Sequence, residues 1–211
     1  AFIQFPEASA AQRGPTGRPI LEIVRQPAVR VALLGGMISW GGMVLVMTAT
    51  PLSVVACGHS FADSAFVIQW HVVGMFAPSF FTGGLIKRLG TKNVIYVGLA
   101  LFTAAVAVAL SGVTMAHFWL MNLLIGVGWN LMFVGATDLL TQCHTAAERA
   151  KVQGFNDFMV FGTVALATFL SGFAHHIWGW NAVILLLLPM IAVLGLAVTM
   201  LRLTPAAAAA E

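Results

Sequence analysis

The sequence predicts an all-α membrane protein with six transmembrane helices, and three observations carry that prediction. The chain is 60% hydrophobic and only 8% charged, whereas a soluble domain averages about 45–50% apolar and 25% charged. Its apolar residues gather into six runs, each long enough to cross a hydrocarbon core of about 30 Å, which takes roughly 20 helical residues. Its ten Lys and Arg residues fall only in the breaks that six alternating spans place on one side of a bilayer.

Residues 1–30 differ in character from the rest. The chain opens AFIQFPEASA, without an initiator Met and without a basic-then-apolar signal pattern, so it is expected to be a fragment whose N-terminal part is absent. AQRGPTGRP is a turn-rich linker. PILEIVRQP then spaces Ile20, Leu21 and Val24 at helical intervals, with Glu22 and Arg25 facing elsewhere. That pattern fits a short amphipathic helix at the membrane interface or an ordinary lead-in to the first span.

The six spans read as 31–56, 64–86, 93–112, 116–142, 152–174 and 180–202, within a transmembrane domain of 31–203. They are separated by CGHSFAD, KRLGTKN, SGVTMAH, HTAAERAK and HHIWGW. Gly41, Gly42, Pro51, Pro78 and Pro189 lie inside the runs, which spanning helices tolerate better than soluble ones. The final residues, 204–211, read as a disordered tail. Cys57 and Cys143 fall at opposite ends of different runs and read as small packing residues rather than a disulfide pair.

The cations set the orientation. Arg13, Arg18, Arg25 and Arg30 precede span one; Lys87, Arg88 and Lys92 follow span two; Arg149 and Lys151 follow span four; Arg202 ends span six. By the positive-inside rule both ends of the segment and the even-numbered loops are cytoplasmic, in an integral membrane protein expected in a bacterial inner membrane. The bilayer is thus one expected partner, and no nucleic acid is.

Six spans divide into two triplets of opposite topology, the pattern of an inverted 3+3 repeat. Gly83-Gly84-Leu85-Ile86-Lys87-Arg88-Leu89-Gly90-Thr91-Lys92 resembles the loop signature G-x-L-a-D-r-x-G-r-k of the major facilitator superfamily. In that family the signature follows the second helix and recurs, degenerately, after the eighth. The resemblance extends through MTATPLSVV, QWHVVGMFAPSFFTGGLI, GVGWNLMFVGATDLL and ERAKVQGFNDFMVFG, nearly the whole chain. It implies that residues 1–30 are a remnant of the central cytoplasmic loop and that the spans are helices seven to twelve, one half of the fold. Small residues such as Gly83 and Gly90 would let helices approach closely, and Lys87, Arg88 and Lys92 would hold the loop in the cytoplasm. Lys87 stands where the family has its acid, so no charge latch is expected in this loop.

Several polar and aromatic residues are candidates for the transport pathway. Asn122, Gly126, Asn130, Phe133 and Thr137 recur at intervals of three or four, which gathers them on one helical face beside Trp129. The resemblance implies cavity lining for this span, because the first helix of each triplet lines the central cavity; interhelical hydrogen bonding is the alternative. Thr48 and Thr50, next to Pro51, either line the outer half of the pathway or satisfy backbone groups at a kink. His71 either carries a proton or contacts substrate, or is a neutral His bonded to a neighbouring helix.

Asp157, with Asn156 adjacent and Gln153 one turn back, is a coupling or gating candidate or a structural hydrogen-bond anchor. Asp138 is expected to face His144, Arg149 and their loop, in an interfacial ion pair or at a cytoplasmic gate. His175 and His176 lack further ligands for a metal, and no metal or cofactor is expected.

An enzyme would show a nucleophile beside a His, an acidic metal pair or an HExxH run, and none is present. The expected function is therefore that of the C-terminal half of a secondary active transporter. It would move a small organic solute by alternating access against an N-terminal six-helix half, with protons as a candidate coupling ion. The other reading is a self-contained six-span scaffold or assembly protein. Scarcity of charge in the spans disfavours a highly charged substrate.

Overall fold

The structure, a computed structural model, describes residues 17–201. Arg13, Arg202, the first part of the linker and the tail 204–211 lie outside the described residues. Those described form helices α1 (Ile20–Val24), α2 (Pro27–Ala56), α3 (Phe61–Phe76), α4 (Ser79–Leu89), α5 (Thr91–Ser111), α6 (Met115–Thr141), α7 (Arg149–Trp178), α8 (Trp180–Leu185) and α9 (Leu187–Met200). Helices α2, α5, α6 and α7 and the pair α8–α9 are each long and apolar enough to cross a membrane, and the bent pair α3–α4 makes a sixth span.

Local chemistry explains where these helices start and bend. The first span begins at Pro27, earlier than expected, because proline at the first helical position loses no hydrogen bond there. Ser60 and Asp63 cap α3 reciprocally: the Asp63 amide donates to Ser60 Oγ (3.1 Å) and the Ser60 amide to Asp63 Oδ2 (2.8 Å). The second span is not one straight helix. It bends by 43° between α3 and α4, where Pro78 can donate no backbone bond. The last span is interrupted at Leu186, three residues before Pro189. Gly90 (φ +81°) and Gly179 (φ +76°) sit at helix junctions in the left-handed region that glycine adopts without steric cost.

Helices α2 and α6 form the centre, each with well over half of its spanning stretch buried, against about a fifth for α7. Helix α2 packs on α6 and α7, and α6 packs on α3 and α5. Phe102, Phe118, Met121, Ile125 and Met132 fill the core between them. The α6 contacts depend on bare backbone: a Cβ on Gly126 would lie 2.5 Å from the His71 carbonyl oxygen, and one on Gly98 would lie 2.8 Å from that of Gly128. The motif glycine Gly83 behaves otherwise. Nothing lies within 4 Å of a Cβ there or at Gly84, so among the described residues no helix uses them for close approach.

Long-range bonds gather the described cations at one end. Arg18 donates from Nε to Glu148 Oε1 (2.8 Å), from a terminal nitrogen to Oε2 (2.9 Å), and from its backbone amide to Oε1 (2.9 Å). Lys151 donates to the Arg18 carbonyl, and Lys92 to the Leu201 carbonyl at 2.6 Å. At the opposite end Ser53 Oγ meets His175 Nε2 at 2.8 Å. The short lead-in helix turns differently from expectation: Ile23 is its fully buried residue, whereas Leu21 is 68% exposed.

Glu148 is 2% exposed, and the Arg18 guanidinium with the Thr145 and Arg18 amides holds its carboxyl far below the usual carboxylate range. A depressed folded-state pKa means the tether is complete above the ordinary carboxylate range and is lost only as pH falls through the lower folded value. Between pH 5 and 8 it is therefore constant. Arg18 also donates to the Cys143 carbonyl (3.3 Å), and the Cys143 thiol is half-buried. Glu148→Gln in a Cys57→Ser background is expected to raise the alkylation rate of Cys143 several-fold, read by maleimide labelling. An unchanged rate would show that the tether does not order this loop.

Candidate binding site

Five aromatic rings from four helices meet near the middle of the spans. Trp129 and Phe133, one turn apart on α6, stack with centroids 5.1 Å apart and planes at 20°. Trp40 of α2 stands edge-on to both, at 5.1 Å and 86° from Trp129 and at 5.7 Å and 88° from Phe133. Phe161 of α7 lies 6.4 Å from Trp40, and Phe76, at the end of α3, lies 6.4 Å from Trp129. Edge-to-face and offset arrangements are the preferred aromatic geometries and add about 0.5–1.5 kcal/mol per pair beyond area burial.

The cluster is buried at its base and open at its rim. Trp129 is buried, Trp40 and Phe133 are half-buried, and Phe76 and Phe161 are exposed. Trp129 Nε1–H is enclosed with no acceptor among the described residues. A flat apolar solute at this rim would meet the rings of Phe76 and Phe161 and the open parts of Trp40 and Phe133.

The α6 stripe divides. Asn122 and Asn130 are buried between helices, which matches the interhelical alternative rather than an open pathway face. Asn122 Nδ2 donates to the Phe118 carbonyl (2.9 Å) and to Thr50 Oγ1 (3.4 Å). Asn130 Nδ2 donates to the Met75 carbonyl (2.7 Å) and Ser79 Oγ (2.7 Å), while Thr82 Oγ1 donates to its Oδ1 (2.6 Å). These bonds brace the break between α3 and α4, where the bent backbone loses helical partners. Phe133 and Thr137, further along α6, are half-buried and exposed. The periodicity placed the stripe on one face, but α3 covers the outer part of that face and not the inner part.

The remaining candidates lie apart from the rings. Thr50 Oγ1 donates to the Val46 carbonyl (2.9 Å) one turn back, beside Pro51, and Thr48 is half-buried. His71 is fully buried with Nδ1 2.8 Å from the Asn122 carbonyl oxygen. A carbonyl only accepts, so Nδ1 carries the proton, and Nε2 has no partner among the described residues. Asp157 accepts from Gln153 (2.8 Å) and Asn156 (3.2 Å), the two neighbours read from its surroundings in sequence. Asp138 bonds neither His144 nor Arg149. Thr91 Oγ1 (2.6 Å) and Gln142 Nε2 (2.8 Å) donate to its Oδ2, because α5 begins against the last turn of α6. The acid that makes the ion pair is Glu148 instead.

Sequence reasoning missed Trp40, Phe76 and Phe161. Trp40 is the single aromatic of its apolar run, whereas Phe76 and Phe161 are each one of five in theirs, and nothing in the sequence sets them apart from the others.

Six spans around two central helices, with a cluster of aromatic rings at mid-depth, define an integral membrane protein. Residues 6–211 match the Major Facilitator Superfamily model, and the chain belongs to that family. It is 47% identical over 196 residues to the riboflavin transporter RfnT of Brucella anthropi, covering 93% of this chain and 49% of that protein. It is also 36% identical over 132 residues to the uncharacterized MFS-type transporter YdeG of Bacillus subtilis, covering 62% of this chain and 31% of the relative. The chain thus spans about half or less of the length of these relatives.

Proposed function

We propose that this chain forms the second six-helix half of a secondary active transporter that moves a flat heteroaromatic solute of the riboflavin class. The observation that carries the reading is the five-ring wall drawn from α2, α3, α6 and α7. Aromatic side chains hold planar rings by stacking worth about 1–3 kcal/mol per ring. The 47% identity to a riboflavin transporter supports the same class. The solute would bind near the midplane between this half and an N-terminal six-helix half, with alternating access by rocking of the two.

The proposed partner half has a place to pack. Phe80 and Phe81 of α4 and Phe158 of α7 are exposed. Family membership favours transport over a scaffold role. The cation distribution supports a cytoplasmic location for Lys87, Arg88, Lys92 and the Arg18–Glu148 tether, residues 17–26 being part of the central loop. A bacterial inner membrane is the proposed location.

Asp157 is the proposed coupling group. Its carboxylate lies more than two turns inside α7, among amide donors and without a cationic partner among the described residues, so protonation would disrupt no ion pair. In proteoliposomes of the full-length protein, an inward proton gradient is expected to drive riboflavin uptake. Asp157→Asn should fold normally and lose the gradient dependence. Unchanged pH-driven uptake with a lowered melting temperature would make Asp157 a structural anchor.

A further inference from the structure

A groove of about 460 Å³ runs from the aromatic wall toward the cation-rich end, between α4 and α6. Gly83, Ile86 and Lys87 form one side, and Phe133, Thr137, Asp138 and Thr141 lie along the other. Phe133 belongs to both the groove and the ring stack, so the groove begins at the edge of the cluster. The other faces of α6 are occupied: Gly128 and Gly135 meet α5, and Ala136 meets Gly35 of α2. The groove therefore opens on the same free face of α6 as the rings.

Its chemistry differs from theirs. Beyond Phe133 an ammonium, a carboxylate and two threonine hydroxyls are set into walls whose exposed surface is mainly apolar. Lys87 is exposed and makes no hydrogen bond or ion pair with the other described residues. The Thr137 side chain is exposed as well. Asp138 uses Oδ2 for Thr91 and Gln142, which leaves Oδ1 to accept. One positive and one negative group cancel, so the groove does not select an anion. Donors and acceptors placed together over a small volume suit a chain of neutral hydroxyl groups, each of which both donates and accepts.

We infer that this groove is a subsite for a neutral polyhydroxylated side chain carried by the planar solute. The ring lies on Trp40 and Phe133, and the hydroxyl chain extends past Phe133 between Lys87 and Thr137. This rests on the proposed function and adds which part of the solute the cytoplasmic half of the segment recognises. It also gives Lys87, in the position of the family's acid, a role: a donor to hydroxyls where an acid would leave the groove doubly negative beside Asp138.

The test compares two ligands on the full-length protein in detergent, by flavin fluorescence. Riboflavin carries the ring and the polyol; lumiflavin carries the same ring with a methyl group in its place. Gly83→Leu adds a side chain at a residue that lines the groove, starting from a Cβ with nothing within 4 Å. It should weaken riboflavin binding about tenfold or more and leave lumiflavin within about twofold. Lys87→Met and Thr137→Val should each weaken riboflavin alone, by about three- to tenfold, the scale of one or two lost hydrogen bonds. Unchanged riboflavin affinity in Gly83→Leu, or an equal loss for both ligands, overturns the subsite. If neither ligand binds the unmodified protein, the proposed function itself fails and the subsite with it.

Discussion

Trp40→Ala is expected to weaken riboflavin binding by about tenfold to a hundredfold and to abolish measurable uptake. Trp40 is the ring that joins the others: it stands edge-on to Trp129 and Phe133 and reaches Phe161 across to α7. Truncating a central aromatic anchor commonly costs 2 kcal/mol or more of binding free energy, and about 1.4 kcal/mol is tenfold. The substitution also removes packing, and Trp→Ala in a core costs about 3–5 kcal/mol. Half-burial of Trp40 puts its own cost below that range. Trp40→Phe separates the two effects. It keeps an aromatic face and should restore binding to within a few-fold, whereas Trp40→Leu keeps apolar volume and should not. Equal recovery with Leu and Phe would mean that the residue packs and does not stack.

The second large effect is on folding. Gly126→Val is expected to leave little or no folded protein, measured as the monodisperse fraction after detergent extraction. A Cβ at Gly126 would lie 2.5 Å from the His71 carbonyl oxygen, 3.0 Å from the Met75 amide nitrogen and 3.1 Å from the Gly74 carbonyl carbon. All three are backbone atoms, so no side chain can rotate aside and α3 must move off α6. That separation breaks the His71–Asn122 bond and the Asn130 brace on Met75. Overpacking a core by a few methylenes costs about 1–3 kcal/mol, and a clash against main chain exceeds it. Gly84→Ala is the matched control. Its Cβ meets nothing within 4 Å, and Gly→Ala inside a helix is worth about 0.5–1 kcal/mol in favour of alanine. Normal yield of Gly126→Val would show that α3 and α6 do not pack as described.

The overall architecture was legible because it depends on composition and punctuation. Lipid imposes span length and forbids unpaired backbone, so apolar runs between KRLGTKN and HTAAERAK have few alternatives to membrane helices. The kink was only half legible. Pro78 was visible, but the 43° bend also needs Asn130, from another helix, to take up the Met75 carbonyl. Periodicity placed Asn122, Asn130, Phe133 and Thr137 on one face of α6, yet a face alone does not say what covers it. Here α3 covers the two asparagines, and Phe133 and Thr137 remain accessible. Arg18 and Glu148 are 130 residues apart, and nothing near either one announces the other. Trp40, Phe76 and Phe161 were unreadable for the same reason: an aromatic in an apolar run gains meaning only when four helices bring it to its neighbours.

The central claim is that the ring wall faces a water-accessible cavity that holds the solute. Substrate protection of a single cysteine tests it most directly. Phe161, 62% exposed at the rim, is replaced by cysteine in a full-length background from which every other cysteine, Cys57 and Cys143 included, has been removed. The account predicts that a water-soluble maleimide labels position 161 in membranes and that saturating riboflavin slows the labelling severalfold. A cysteine at 161 that reacts equally fast with and without riboflavin, or that no aqueous reagent reaches, would contradict it.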